Sequence, residues 1–191
     1  ILQTICPTKQ ETVLITNAAD RVLATSQESA INLPRFDNSA MDGYAVRAAD
    51  ASTGARLRQI GDVPAGIVFK GEVGEGECVR IFTGSPMPQG ANAVVMQEDT
   101  RAEGDTIEII DGVKPFEHIR LRGEDVKQGE VIGQPGQRLH AGRLQLLGAA
   151  GVGEVEVHRQ PVIGVLATGD ELYEPGTELD AGGIYESNRL A

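Results

Sequence analysis

Apolar positions change rhythm along the chain, and each rhythm predicts a different kind of element. Residues 11–15 (Glu-Thr-Val-Leu-Ile) form a short β-branched run that predicts a strand. Thr16 or Asn17 is then placed to cap a helix through Ala18, Ala19, Arg21, Val22, Leu23 and Ala24, ended by the polar stretch Ser26–Ser29. From Ile31 to about Val126, short apolar runs alternate with Gly, Pro, Asp and Asn clusters. Candidate strands there are 56–60, 67–69, 78–82, 93–96, 106–110 and 118–121, and turn chemistry at this spacing predicts a small barrel or sandwich. Within that region 45–50 reads as a short helix. Further on come Val131-Ile132-Gly133, a Gln-Pro-Gly-Gln turn, and a helix from His140 of about a dozen residues, with Leu144, Leu147 and Ala150 on one stripe. Val155 and Val157 alternate with Glu154, Glu156 and His158 as a half-exposed strand.

The run Val162-Ile163-Gly164-Val165-Leu166-Ala167 is apolar at every position, which suits a strand buried on both faces of a parallel sheet. A parallel neighbour requires a crossover, and no second buried run follows. The expectation is therefore that the chain is the front part of a larger protein. This strand would then be left as a mobile, swapped or externally paired tail.

Composition narrows the function classes. Over 191 residues, 17 Lys and Arg face 28 Asp and Glu, a net charge of −11 that argues against a duplex-binding surface. No apolar run approaches a membrane span, and no secretory leader opens the chain, so no nucleic-acid or membrane partner is expected. Cys6 and Cys78 lie too far apart for a metal-ligand spacing, and a reducing, cytoplasmic setting is the default expectation. With 24 Gly, three Tyr, four Phe and no Trp, tight turns and a core of Val, Ile, Leu and Ala are expected.

Four segments carry candidate chemistry. Asp37-Asn38-Ser39-Ala40-Met41-Asp42-Gly43 would present two carboxylates and a hydroxyl on consecutive turns, or be two ordinary surface turns. Thr83-Gly84-Ser85-Pro86 would offer free N–H groups and hydroxyls to an anion, or simply connect two strands. Arg120 and Arg122 would alternate onto one strand face and clamp an oxyanion, or pair with nearby carboxylates. Thr168-Gly169-Asp170-Glu171, at the end of the buried run, would hold Mg²⁺ through one or two carboxylates, or cap a following helix. The three histidines have no nucleophile signature beside them.

Five blocks in order resemble one family. Residues 36–46 (Phe-Asp-Asn-Ser-Ala-Met-Asp-Gly-Tyr-Ala-Val) are similar to the hallmark of the MoeA/gephyrin E-domain family, the molybdopterin molybdenumtransferases. So are 81–90 with 93–98, 119–125 with Gly129, 167–172 and 184–189. The resemblance implies an α+β multidomain fold: residues 1–28 and 129–159 as one mixed α/β domain, an inserted β-rich barrel-like domain at 29–128, and the truncated start of a MogA-like α/β domain at 160–191. It implies a homodimer, with a MogA-like protein as a further partner. The implied reaction takes adenylylated molybdopterin and molybdate, inserts molybdenum and releases AMP with Mg²⁺ as cofactor. By match of motif, Asp42, Thr83, Asp125 and Glu171 would be catalytic; Ser39, Met41, Gly84, Arg120 and Asn188 would bind substrate; and Glu171 would hold the metal. The family's Gly-Gly-x-Ser segment, later acids and C-terminal β-domain do not occur in these residues, so the chain by itself is expected to be inactive. A leading helix usual in the family is expected to be missing or clipped before Ile1. The alternative is a non-enzymatic, gephyrin-like interaction or assembly scaffold.

Overall fold

Residues 6–64 and 66–190 are described by the structure, a computed structural model. Strand β1 (Gln10–Leu14) leads into a 3-10 turn at Ile15–Asn17, and β2 (Gln27–Glu28) follows. Next come β3 (Asn38–Ser39), β4 (Gly43–Val46), a 3-10 turn at Ala48–Asp50, β5 (Arg56–Val63), β6 (Glu77–Ile81) and β7 (Ala93–Met96). A 3-10 turn at Gln97–Asp99 precedes β8 (Thr100–Glu103), β9 (Thr106–Ile109) and β10 (Ile119–Arg120). Then follow β11 (Val131–Gly133), helix α1 (Ala141–Ala149), β12 (Glu154–His158), β13 (Leu172–Tyr173) and β14 (Ile184–Tyr185). Strands dominate, and α1 is the one α-helix among the described residues.

Six strands form an open half-barrel in the order β7-β4-β6-β5-β9-β8. All neighbours are antiparallel except β5 and β6, which run parallel with an irregularity between Gln59 and Asp62. Side chains alternate across a strand, and both faces here are covered. Tyr44, Val46, Cys78, Ala93 and Val95 pack on one face, while Ala45, Val79, Ile81 and Val94 pack on the other. Buried on both faces, β4 tolerates no bulk at Gly43: a Cβ there would lie 2.0 Å from the Val95 carbonyl oxygen.

A second core forms where distant parts of the chain pair. Strand β1 runs antiparallel to β12, and β2 to β11. Leu23, Leu139, Leu147 and Val157 are fully buried between these ribbons and α1. Each such side chain contributes about 1.5–3 kcal/mol by leaving water. The stripe expected on the helix is partly realised: Leu147 and Ala150 are buried and Leu144 packs at the edge of the core.

Several sequence expectations are corrected. No helix forms over 18–24. Asp20 turns left-handed at φ 62°, and the next amides are taken by distant carbonyls: Leu23 N–H donates to Gln137 at 2.9 Å and Ala24 N–H to Glu156 at 2.9 Å. The segment 45–50 is not a helix, because Ala45 and Val46 complete β4 and a 3-10 turn remains. Residues 67–69 are not a strand but part of the connection between the parallel β5 and β6. There Ile67 and Val68 are exposed, and the Phe69 ring lies over Gly61 and Gly71. The expected strand at 118–121 shrinks to β10, which pairs with β3. Residues 162–167 form no strand, because no described neighbour offers a ladder; Val162 is 101% and Leu166 86% exposed. No helix follows Asp170. Leu172 N–H closes a turn to the Gly169 carbonyl at 3.1 Å, and β13 then pairs in parallel with β14.

Candidate functional site

Two turn segments meet at the end of the half-barrel. Ser39 is 1% exposed and its hydroxyl donates to the Met41 carbonyl at 2.5 Å, closing the turn that carries Asp42. Asp42 Oδ1 accepts two bonds from Thr83: the backbone N–H at 2.8 Å and the hydroxyl at 2.9 Å. These bonds stabilise the ionised form, so the Asp42 carboxyl is held below its ordinary value, with the positive charge of Arg80 adding to the effect. Gly84 follows at φ 83°, a conformation that glycine adopts without strain, and a Cβ there would meet nothing within 4 Å.

The 83–85 loop does not offer the free N–H groups anticipated from its sequence. Thr83 N–H goes to Asp42, Gly84 N–H to the Ser39 carbonyl at 2.8 Å, and Ser85 N–H to the Phe82 carbonyl at 2.9 Å. What remains for a ligand is the acceptor capacity of the Thr83 hydroxyl and the flat space above Gly84.

Arg120 is held in a fork of two carboxylates. Its Nε donates to Glu124 at 2.6 Å and its Nη2 to Asp125 at 2.5 Å, which leaves the Nη1 edge for a ligand. Those bonds raise the Arg120 pKa, the Asp125 bond contributing most; Glu124 is lowered, first by the Leu121 N–H and then by Arg120. Arg122 does not share the Arg120 face. Strand β10 ends at Arg120, the chain turns at 121–124, and Gly123 takes φ 70°. The expected two-arginine clamp is thus corrected: Arg120 and Arg122 line different cavities.

Ser39, Thr83, Gly84, Arg120 and Asp125 share one open cavity of about 520 Å³. Its other wall was not anticipated. Gly142, Gln145, Leu146 and Ala149 lie three and four residues apart, so they form one stripe of α1 facing the cavity, joined by Leu33 and Pro34. The spacing was visible in the sequence, but nothing local says that this stripe faces an opening. Met41 is 43% exposed and, with Asp42, is not part of the cavity lining; Asp42 acts on it through Thr83.

The family model described as the MoeA N-terminal region (domain I and II) matches residues 1–151. The chain belongs to the MoeA family. It is 45% identical over 185 residues to a molybdopterin molybdenumtransferase of Haemophilus influenzae, covering 96% of this chain and 46% of that protein. It is 38% identical over 179 residues to one from Nostoc, covering 91% and 41%. A crystal structure of a molybdopterin biosynthesis moeA protein from Pyrococcus horikoshii superposes with a TM-score of 0.83 at 39% identity, covering 95% of this chain and 50% of that one. This MoeA chain therefore spans about half the length of the curated relatives it matches.

Within this MoeA chain, the main cavity lies inside the matched region, whereas Glu171 and Asn188 lie beyond it. Both are exposed and line neither the main cavity nor the small one beside them, where Glu186 is buried against Arg189 at 2.8 Å. Among the described residues no group of three or more His, Cys, Asp or Glu side chains converges to hold a metal. The residues present thus do not form a protein cage for Mg²⁺. No helix among the described residues is long and apolar enough to cross a membrane.

Proposed function

We propose that the 520 Å³ cavity binds adenylylated molybdopterin in a cytoplasmic molybdopterin molybdenumtransferase, which inserts molybdenum from molybdate and releases AMP. The observation that carries this reading is the meeting of five motif residues with an apolar wall in one cavity of small-molecule size. Leu33, Pro34, Leu146 and Ala149 offer an apolar surface suited to a ring system. The Thr83 hydroxyl and Arg120 Nη1 supply one acceptor and one charged donor at the opposite side. Asp42 is a positioning residue that fixes Thr83, and Asp125 with Glu124 fixes the plane of Arg120. A preset donor of this kind stabilises charge developing on a phosphate oxygen without reorganisation.

Ser39 and Gly84 shape the floor by closing the turn and leaving space; Met41, Glu171 and Asn188 would reach substrate from outside the cavity. The segment 160–191 would be the start of a MogA-like domain, with 1–28 and 129–159 as one domain and 29–128 inserted. Mg²⁺ remains the proposed cofactor. It would arrive on the substrate's phosphates with Glu171 as a single protein carboxylate, and the roles of Asp42, Thr83 and Arg120 do not depend on it. The working unit would be a homodimer, and a MogA-like protein would supply the adenylylated substrate.

The test uses a longer protein that carries these residues. Asp42→Ala and Glu171→Ala should each abolish molybdenum insertion without unfolding the protein. Normal turnover in both would remove the assignment.

A further inference from the structure

Behind the wall of the main cavity lies a second one, of about 200 Å³, lined by Ala30, Ile31, Asn32, Arg35, Arg122 and Gln128. The turn that removes Arg122 from the Arg120 face delivers it here. Gly123 N–H donates to the Pro34 carbonyl at 2.9 Å and Asp125 N–H to the Leu33 carbonyl at 3.0 Å, so the 120–125 segment and the 33–35 segment run side by side. Arg120 then faces one cavity and Arg122 the other.

The chemistry of this second cavity is one-sided. No acid lines it, although acids outnumber bases 28 to 17 in the chain. Neither the Arg35 nor the Arg122 side chain forms an ion pair or hydrogen bond among the described residues, whereas Arg120, Arg138 and Arg159 are all paired. Asp37, the acid adjoining this segment, is engaged at Oδ1 by the backbone N–H of Arg122 at 2.7 Å. Asn32 Oδ1 accepts the Gln128 N–H at 3.0 Å, which leaves its amide NH₂ as the free end. Gly123 packs against Asn32: a Cβ there would lie 3.0 Å from Asn32 Oδ1.

We propose that Arg35, Arg122 and the Asn32 amide form an oxyanion site, separate from the main cavity, for a tetrahedral dianion of the phosphate or molybdate class. Two guanidinium groups and an amide provide donors only, and donors without acceptors select an anion. The overall charge of −11 repels anions, so an unpaired pair of arginines creates a local exception in that field.

Calorimetric titration of the 191-residue chain at low ionic strength, separately with inorganic phosphate and with sodium molybdate, tests this. Saturable binding of either ion is expected. Arg35→Gln and Arg122→Gln should each weaken it about tenfold, as loss of one charged donor does. Both side chains are exposed and form no ion pair or hydrogen bond among the described residues, so these variants fold. Arg101→Gln removes the same charge from a distant strand and should leave binding unchanged. The tighter of the two ions identifies the natural class. No saturable binding of either ion would overturn the site, as would wild-type affinity in Arg122→Gln. Loss of binding confined to Arg120→Gln would place the ion in the main cavity and would also overturn it.

Discussion

Asp42 shows how a single carboxylate organises the site. Both bonds from Thr83 fall on one of its oxygens, and they favour the ionised form. A depressed folded pKa makes its contribution full above the unfolded aspartate value and lost as pH falls through the lower folded one. Thr83→Val keeps the backbone N–H but removes the hydroxyl bond. Its Asp42 carboxyl should titrate closer to the ordinary 3.8, as followed by carbon NMR of the side chain. An unchanged midpoint would mean that the hydroxyl does not hold Asp42. Cys78 makes the opposite case: burial pushes its thiol up to about 12. At pH 8 a thiol reagent should modify exposed Cys6 quickly and Cys78 only after denaturation; equal rates would contradict the packing of β6. At this scale the sequence was informative. Turn and charge patterns marked the segments that carry Ser39, Thr83, Gly84, Arg120 and Asp125, and the family resemblance singled out those residues within them. The direction of Arg122 was not, because it depends on a turn that replaces the expected strand.

Among the elements, β4 and α1 position the site, and both depend on close contact. Gly43→Ala would drive a methyl group into the Val95 carbonyl, which is backbone and has no rotamer to yield. Overpacking of this kind should cost about 2–3 kcal/mol, read as a lowered urea midpoint with an unchanged slope. A wild-type midpoint would mean that β4 and β7 are further apart than described. Helix α1 has two working faces, with Leu147 in the core and Gln145 on the cavity. Its apolar stripe was readable from the 3.6-residue period, whereas its cavity face is a property of docking. The helix expected over 18–24 failed for the same reason. Local propensity favoured it, but β12 and the 137–139 segment claim its amides, and tertiary pairing outweighs a few tenths of a kcal/mol per residue.

The whole molecule joins an open half-barrel and a second core to a segment that buries little. Val162, Ile163, Val165 and Leu166 together expose a contiguous apolar run. Such a patch promotes self-association. Replacing Val162 and Leu166 with Ser should leave the melting temperature unchanged and lower concentration-dependent light scattering; a lower melting temperature would show that these side chains are packed. The apolar run was plain in the sequence, yet its burial was not, since a strand is defined by the neighbour it pairs with.

The proposed seat of the pterin substrate is the cavity between the motif loops and α1. Ala149 lines that cavity from the helix, is exposed, and has no reactive group. Ala149→Trp therefore fills the space while leaving Asp42, Thr83 and Arg120 unsubstituted. The decisive measurement is molybdenum insertion into adenylylated molybdopterin by a longer protein carrying this substitution. A loss of at least about tenfold in substrate affinity, with an unchanged melting temperature, is predicted. Wild-type affinity and turnover would show that the substrate binds elsewhere.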